Sequence, residues 1–518
     1  MQPVHQRSRV IRQAPVALLL TWCVLGALLL CLPDTTVLNP RPIQNDFFAP
    51  IPGAWALACG LKIHTDLSSA MGLAYFLPYL TALKLFGPTM QIVKQGNAII
   101  FITVSILAFL MLKPPRFSWT ICALGVMLGS LLAANPVYFG ESPMVISMGT
   151  VNWPAISLSG LCLLVPLSKV RKISDAILLA VILACLTFYK LNFLLVGSGF
   201  ILLGLWTAPR ISGSSSLKFL AWLAGFYLLF ASAFVGWFRI DLAAMFRDIH
   251  MAACARSEYM FSLVPEKDFW GVSHFGWASV GCHMARAIKS NCIELSLMGI
   301  VLFRMKRWEP VLLAAGVWGI DLIQNRLNIY QLSLPTLVWV WLCLTCLAPS
   351  RIWRSFCATI VVLHLLYLGC GYVSAFVYNL KPPRIETIQA TDASRLYLEP
   401  NGGYAHQLNA GLELLRQTDR TNGPVAVLDM YNLFPFLTKT PPAKGQPAWF
   451  FAEATYNAEH HLPSETLFGQ VQTLMIPKHP LFSDMEPSTL LIQNHRYFKT
   501  NFATLAENDC WSLLIKNK

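Results

Sequence analysis

Asp46, in Gln44-Asn45-Asp46-Phe47-Phe48, follows the first long apolar run of the chain, and Asp66 follows in Lys62-Ile63-His64-Thr65-Asp66. Moving a group from a phosphate leaving group to a hydroxyl needs a base that takes or orients the acceptor proton. It also needs positive charge or a metal ion where the phosphate departs. The two acids, beside Phe47, Phe48 and Trp55, suit the first task. Asp66, ahead of Leu67-Ser68-Ser69, is also a candidate helix N-cap. Glu141, the acid of the stretch Asn135–Trp153, is a third carboxylate that would orient a substrate or hold a divalent metal ion. Lys190, within Phe188-Tyr189-Lys190-Leu191, and Arg326, within Asn325-Arg326-Leu327-Asn328, are candidates for the second task. A guanidinium matches phosphate oxygens bidentately, and a charge at a membrane-level position tends to be functional. The plainer readings are a lysine snorkelling to an interface and an Arg326 paired with Asp321.

These residues must be positioned by apolar helices. Of 518 residues, 55% are apolar and 13% charged, about half the charged share of an ordinary soluble chain. Long apolar runs cover Pro15–Leu32, Ala98–Leu112, Ser118–Ala134, Pro154–Leu167, Ser174–Phe188, Leu191–Thr207, Phe219–Trp237, Cys292–Phe303, Val311–Ile323, Leu332–Leu347 and Phe356–Val377. They predict an α-helical polytopic membrane protein of about eleven transmembrane helices.

Basic flanks fix the orientation. With Arg7, Arg9 and Arg12 inside, alternate crossings place Lys113 and Arg116, then Lys169, Arg171 and Lys172, then Arg210 and Lys218, then Arg304, Lys306 and Arg307, then Arg351 and Arg354 inside as well. This holds only if Met71–Gly87, which contains Pro78 and Lys84, does not cross; it is expected to lie in the outer interface. The net charge of +13 is therefore a topology signal, and nucleic acid is not an expected partner.

Two regions are predicted. Residues 1–377 form a membrane domain with outer loops 33–97 and 238–291, and residues 378–518 form a small extracytoplasmic α/β domain. In the latter, His406–Gln417 reads as a helix, Gly423–Asp429 as a turn and strand, and Thr473–Ile476 and Leu490–Ile492 as strands. In the long outer loop, His250, His274 and His283 with Glu258, Glu266 and Asp268 read as a mixed surface, and Cys254 and Cys282 are placed to pair in an oxidising compartment. Cys343 and Cys346 lie inside an apolar run, against a redox or zinc role. Phosphate-loop, dinucleotide and nucleophile-elbow motifs do not occur.

The layout of basic N-terminus, one span, acid-bearing outer loop, interfacial helix ending in Leu85-Phe86-Gly87, many spans and an outer α/β tail resembles the GT-C superfamily of integral-membrane glycosyltransferases. That superfamily includes protein O-mannosyltransferases and aminoarabinose transferases. Gly60–Asn97 resembles uncharacterised bacterial relatives with a Gly-x-x-x-His-x-Asp signature, then Phe-Gly-Pro and Gly-Asn; here Gly60, His64, Asp66, Phe86-Gly87-Pro88 and Gly96-Asn97 fill those places. The resemblance implies Asp46 or Asp66 as catalytic acid, Glu141 as the second-loop acid, and His64 as an acceptor or sugar contact. It implies Lys190, Arg326 and Tyr330 as the donor-phosphate contacts. The first loop departs from the mannosyltransferases in lacking a paired Asp-Glu. The implied activity is inverting transfer from a polyprenyl-phosphate sugar to a glycan, lipid or protein acceptor at the outer face of a bacterial inner membrane, among membrane lipids. The alternatives are a transporter or flippase for a lipid-linked saccharide, for which repeat symmetry would be expected, and a non-catalytic envelope scaffold.

Overall fold

The computed structural model describes residues 48–89, 91–112, 153–162, 172–207, 213–262, 404–417, 423–451, 455–457, 459–479 and 488–517, with short pieces at 20, 23–24, 37–38, 266–267, 273–274, 386–387 and 397–398. The expected spans Ser118–Ala134, Cys292–Phe303, Val311–Ile323, Leu332–Leu347 and Phe356–Val377 lie outside the described residues, as does nearly all of Pro15–Leu32.

Apolar runs become helices; Leu191–Thr207 keeps the expected limits, the helices over Ala98–Leu112 and Phe219–Trp237 start about six residues earlier, and Pro50–Ala58 is an additional helix. They are α1 (Pro50–Ala58), α2 (Leu73–Phe86), α3 (Ile92–Leu112), α4 (Trp153–Leu161), α5 (Ile173–Tyr189), α6 (Leu191–Thr207) and α7 (Gly213–Phe238). Asp175 starts α5, its Oδ2 accepting from the Lys172 amide at 3.0 Å. Lys190, extended at φ −165°, ends α5, and α6 begins at the next residue. α5 is the hub of the bundle, packing on α2, α3, α4, α6 and α7. Among the described residues, Ser216–Phe238 alone is long and apolar enough to cross a membrane by itself. Its Leu217, Leu228, Leu229 and Trp237 face outward, uncovered by protein.

α2 is the segment expected to stay in the interface. Gly72 and Gly87 bracket it, and Gly87 takes φ +82° at its C-terminus. Its 14 residues reach about 21 Å at 1.5 Å per residue, short of the roughly 30 Å hydrocarbon core. Leu73, Tyr75, Phe76, Tyr79, Ala82 and Leu83 are buried, against α1, α3 and α5.

After α7 the chain turns at Arg239, φ +51°, and enters α8 (Leu242–Ser262). Asp241 caps α8, its Oδ1 accepting from the Ala244 amide at 3.0 Å. Met245, Asp248, Ala252 and Ala255 are buried at spacings of three and four, which is one face of a helix. Asp248 interrupts that stripe with a carboxylate.

The C-terminal part holds α9 (Tyr404–Gln417), α10 (Phe434–Thr438), α11 (Ser464–Phe468) and α12 (Ser488–Asn501). Its four-stranded sheet comprises β1 (Val425–Val427), β2 (Thr473–Pro477), β3 (Phe502–Glu507) and β4 (Trp511–Lys516), in the order β1-β2-β4-β3. β1 and β2 are parallel, with Val425 beside Thr473, and the other pairs are antiparallel. Alternate residues enter two cores. Val425, Val427, Met475, Trp511 and Leu513 join the core shared with the helical bundle, while Ala426, Leu428 and Leu474 join Phe468, Phe498 and Phe502.

One expected strand is corrected. Leu490–Ile492 lies inside α12. The spacing Leu490, Asn494, Phe498 is four, and the helix starts just after Pro487; Asn494 and Phe498 are buried on one face. The short apolar run is one turn of a helix whose period shows only over the following eight residues.

Candidate functional site

The site is a junction where four separate stretches meet. The first is the turn Lys62–Leu67. Asp66 closes it: Oδ2 accepts from the Lys62 amide at 3.0 Å, and the Asp66 amide donates to the Lys62 carbonyl at 2.8 Å. The closure forces His64 to φ +69°, a left-handed conformation that costs a non-glycine residue about 1–3 kcal/mol. The His64 amide donates to the Leu67 carbonyl at 2.7 Å.

The second stretch is a strap from the C-terminal part, Lys444–Ala448. Ser68 donates to the Gln446 carbonyl at 3.2 Å, and Ala448 donates to the Ser68 carbonyl at 2.9 Å. Gly445, at φ +83°, donates to the Asp66 carbonyl at 2.7 Å, and a side chain there would strike the Thr466 carbonyl. Lys444 Nζ lies 3.1 Å from Asp66 Oδ1. Burial alone would raise the Asp66 carboxyl, but the Lys62 amide and the Lys444 ammonium outweigh it and hold it below the ordinary carboxylate range. Further along α1, Trp55 Nε1 donates to the Thr440 carbonyl at 2.8 Å. A two-residue strand, Val37–Leu38, pairs with Tyr397–Leu398.

The third stretch is the end of α5. Gly72 donates to the Tyr189 carbonyl at 2.9 Å, and a Cβ at Gly72 would meet the Phe188 carbonyl. Tyr75 packs edge-on against Tyr189 at 5.4 Å and against Trp449 at 6.2 Å, so aromatic rings run from the α5 end to the strap. Lys190 follows, its Nζ 5.9 Å from the Phe193 ring centroid.

The fourth stretch is α8. Asp248 is 1% exposed and fully engaged. Oδ2 accepts from the Ser69 amide at 3.0 Å and sits 3.0 Å from His64 Nδ1, and Oδ1 accepts from Arg247 Nη2 at 3.1 Å. Arg247 Nη2 also reaches the His64 carbonyl at 3.2 Å. A cavity opens beside this cluster, lined by Ser69, Asp248, Trp449, Tyr456 and His461 among others, and His461 Nδ1 is buried with no hydrogen-bond partner among the described residues.

Of the residues singled out in the sequence, His64, Asp66 and Lys190 belong to stretches of this junction. Asp46, Glu141, Arg326 and Tyr330 lie outside the described residues. His250 lies on α8 with Cys254 Sγ 3.7 Å from its Nε2, and Cys282 lies outside the described residues. Sequence reasoning missed Asp248, because Phe238–Asn291 reads as loop; a buried-stripe test on Met245, Asp248, Ala252 and Ala255 would have found it. It also missed Lys94, which is 2% exposed on α3, one turn before the Asn97 that accepts from the Tyr79 hydroxyl. Among the described residues no three His, Cys, Asp or Glu side chains cluster as a metal site; both Asp66 oxygens and both Asp248 oxygens are occupied by nitrogen donors, so these carboxylates do not fit one.

No protein-family profile matches the chain. No curated protein matches it either. Among solved structures it is similar to ArnT from Cupriavidus metallidurans, in a crystal structure bound to undecaprenyl phosphate, at 13% identity and a TM-score of 0.47, covering 97% of this chain and 98% of that one. A likeness that loose assigns neither family nor activity to this chain.

Proposed function

We propose that this chain is a membrane glycosyltransferase that moves a sugar from a polyprenyl-phosphate donor to an acceptor at the outer face. One observation supports the reading most. The first loop, the α5–α6 break, α8 and the tail strap are the stretches that charge parity assigns to the outer side, and they meet at one junction. A transporter would distribute such groups along its spans. Here His64 is in contact with Asp248, Asp66 closes the same turn, and Lys190 follows the α5 end that the Gly72 amide binds. The outward-facing apolar side chains of α7 suit a lipid surround.

In this reading the first-loop acids Asp46 and Asp66 orient the acceptor hydroxyl, and Glu141 assists. Lys190, Arg326 and Tyr330 hold the departing phosphate. The N-terminus lies inside and the 378–518 part outside. The acceptor is a glycan, a lipid or a protein.

Donor binding tests the phosphate assignment. Replacing Lys190 by Met removes a charged phosphate contact, worth about 1.5–3 kcal/mol, so affinity for a polyprenyl-phosphate sugar should fall roughly tenfold or more. Lys381→Met, in the outer linker, is the control and should leave affinity unchanged. Equal effects at the two positions contradict the assignment.

A further inference from the structure

We propose that His64 Nε2 is the atom that takes the acceptor's proton, with Asp248 as its positioning residue; the inference rests on the glycosyltransferase reading above. Asp248 accepts from the Ser69 amide and from Arg247, so it is an ionised acceptor. The proton in the 3.0 Å contact therefore belongs to His64 Nδ1. That leaves Nε2 with its lone pair. Nε2 is buried, and among the described residues no hydrogen-bond partner reaches it. A buried, unsatisfied ring nitrogen is costly unless something uses it.

The surrounding structure fixes this arrangement at a cost. The His64 backbone is held at φ +69° by the Asp66 closure of its turn, and Arg247 pins the His64 carbonyl. Strain kept at a residue whose side chain has one satisfied and one open nitrogen is the pattern of a pre-organised base. Asp66 is a weaker candidate for the base, since Lys444 and the Lys62 amide already occupy its oxygens. His461 also has an open buried nitrogen, but among the described residues no carboxylate sets its tautomer.

The step balances as follows. The acceptor hydroxyl gives its proton to Nε2, and its oxygen forms the new bond to the anomeric carbon. The bond from that carbon to the phosphate oxygen breaks, and its electron pair leaves with polyprenyl phosphate. The imidazolium, stabilised by Asp248, then returns its proton to water. Nε2 is closed to solvent in the resting structure, so the acceptor enters by a movement of the 62–69 turn or of the strap across it.

The test uses the full chain in membrane vesicles, with a panel of polyprenyl-phosphate hexose and pentose donors, following release of polyprenyl phosphate against pH. His64→Gln should lower turnover by about 10²–10⁴, keep donor affinity, and erase the limb of the profile that falls in acid. Asp248→Asn should lower turnover but keep that limb, because it removes the positioning contact and leaves the base in place. A second measurement does not need activity: in the unsubstituted chain labelled with ¹⁵N-histidine, the His64 signal, assigned by its loss in His64→Gln or His64→Asn, should show Nδ1 protonated and Nε2 bare. A protonated Nε2 overturns the proposal and leaves the glycosyltransferase reading standing. So does an unchanged pH profile in a folded His64→Gln. No donor turned over by the unsubstituted chain overturns both.

Discussion

At the residue scale, the junction depends on carboxylates that do different work. Asp66 is a clasp: it closes its own turn through the Lys62 amide and holds the strap through Lys444. Its folded value is depressed below the unfolded one. A depressed acid contributes stability above its unfolded pKa, about 3.9 for Asp, and loses it as pH falls through the folded value. Hydrogen exchange at the Gly445 amide, which donates to the Asp66 carbonyl, should therefore be steady from neutral pH down to about pH 4 after correction for intrinsic rates. Protection should fall in stronger acid. Lys444→Met should lower protection at neutral pH and flatten the acid step. An unchanged acid step in that variant would contradict the clasp. Asp248 is instead fully buried, and its partners come from outside its own helix as well as from Arg247 beside it.

At the element scale, the helices were legible in the sequence because apolar composition alone sets them. Leu191–Thr207 has the limits read from its apolar run, and the break at Lys190 falls where two runs meet. α2 was legible as a helix, and at 14 residues it is short for a span, in keeping with the expectation drawn from Pro78 and Lys84. α8 was not, because its residues alternate between a buried stripe and charged positions, which resembles a loop until the 3.6 period is counted. The strand assigned at Leu490–Ile492 failed for a related reason: three apolar residues in a row fit either structure. In the sheet, Trp511 carries the packing between β4 and α9. It is 1% exposed, donates from Nε1 to the Gln407 carbonyl at 2.7 Å, and meets Phe434 edge-on at 5.3 Å. Trp511→Ala should cost the C-terminal sheet about 3–5 kcal/mol. Faster exchange at the β2 and β4 amides of the full chain, with α5 amides unaffected, is the expected result. Loss of protection throughout the bundle would show instead that sheet and helices unfold as one unit.

At the scale of the whole molecule, the site was only partly legible. His64, Asp66 and Lys190 stand out in sequence, by signature or by charge, and the fold brings their stretches together. What a single sequence hides is the long-range pairing: His64 with Asp248, 184 positions apart, and Asp66 with Lys444. Those contacts join the first loop to the long outer loop and the tail, and they support the proposed orientation in which all three share one side. Under that orientation a cysteine introduced at Val170 stays unlabelled by an impermeant thiol reagent added from outside, while one introduced at Thr65, an exposed turn position, is labelled. Labelling at Val170 would reverse the parity and separate the junction from the outer face.

The central claim is that this chain transfers a sugar from a lipid phosphate. The most direct measurement is release of polyprenyl phosphate from polyprenyl-phosphate sugars by the full chain, beside Asp46→Asn and Asp66→Asn variants whose folding is checked separately. The proposed function predicts turnover by the unsubstituted chain and a loss of roughly 10²-fold in at least one variant, because an acid that orients the acceptor is gone, with donor binding retained. No turnover by the unsubstituted chain with any donor, or near-parental turnover in both variants, would contradict it.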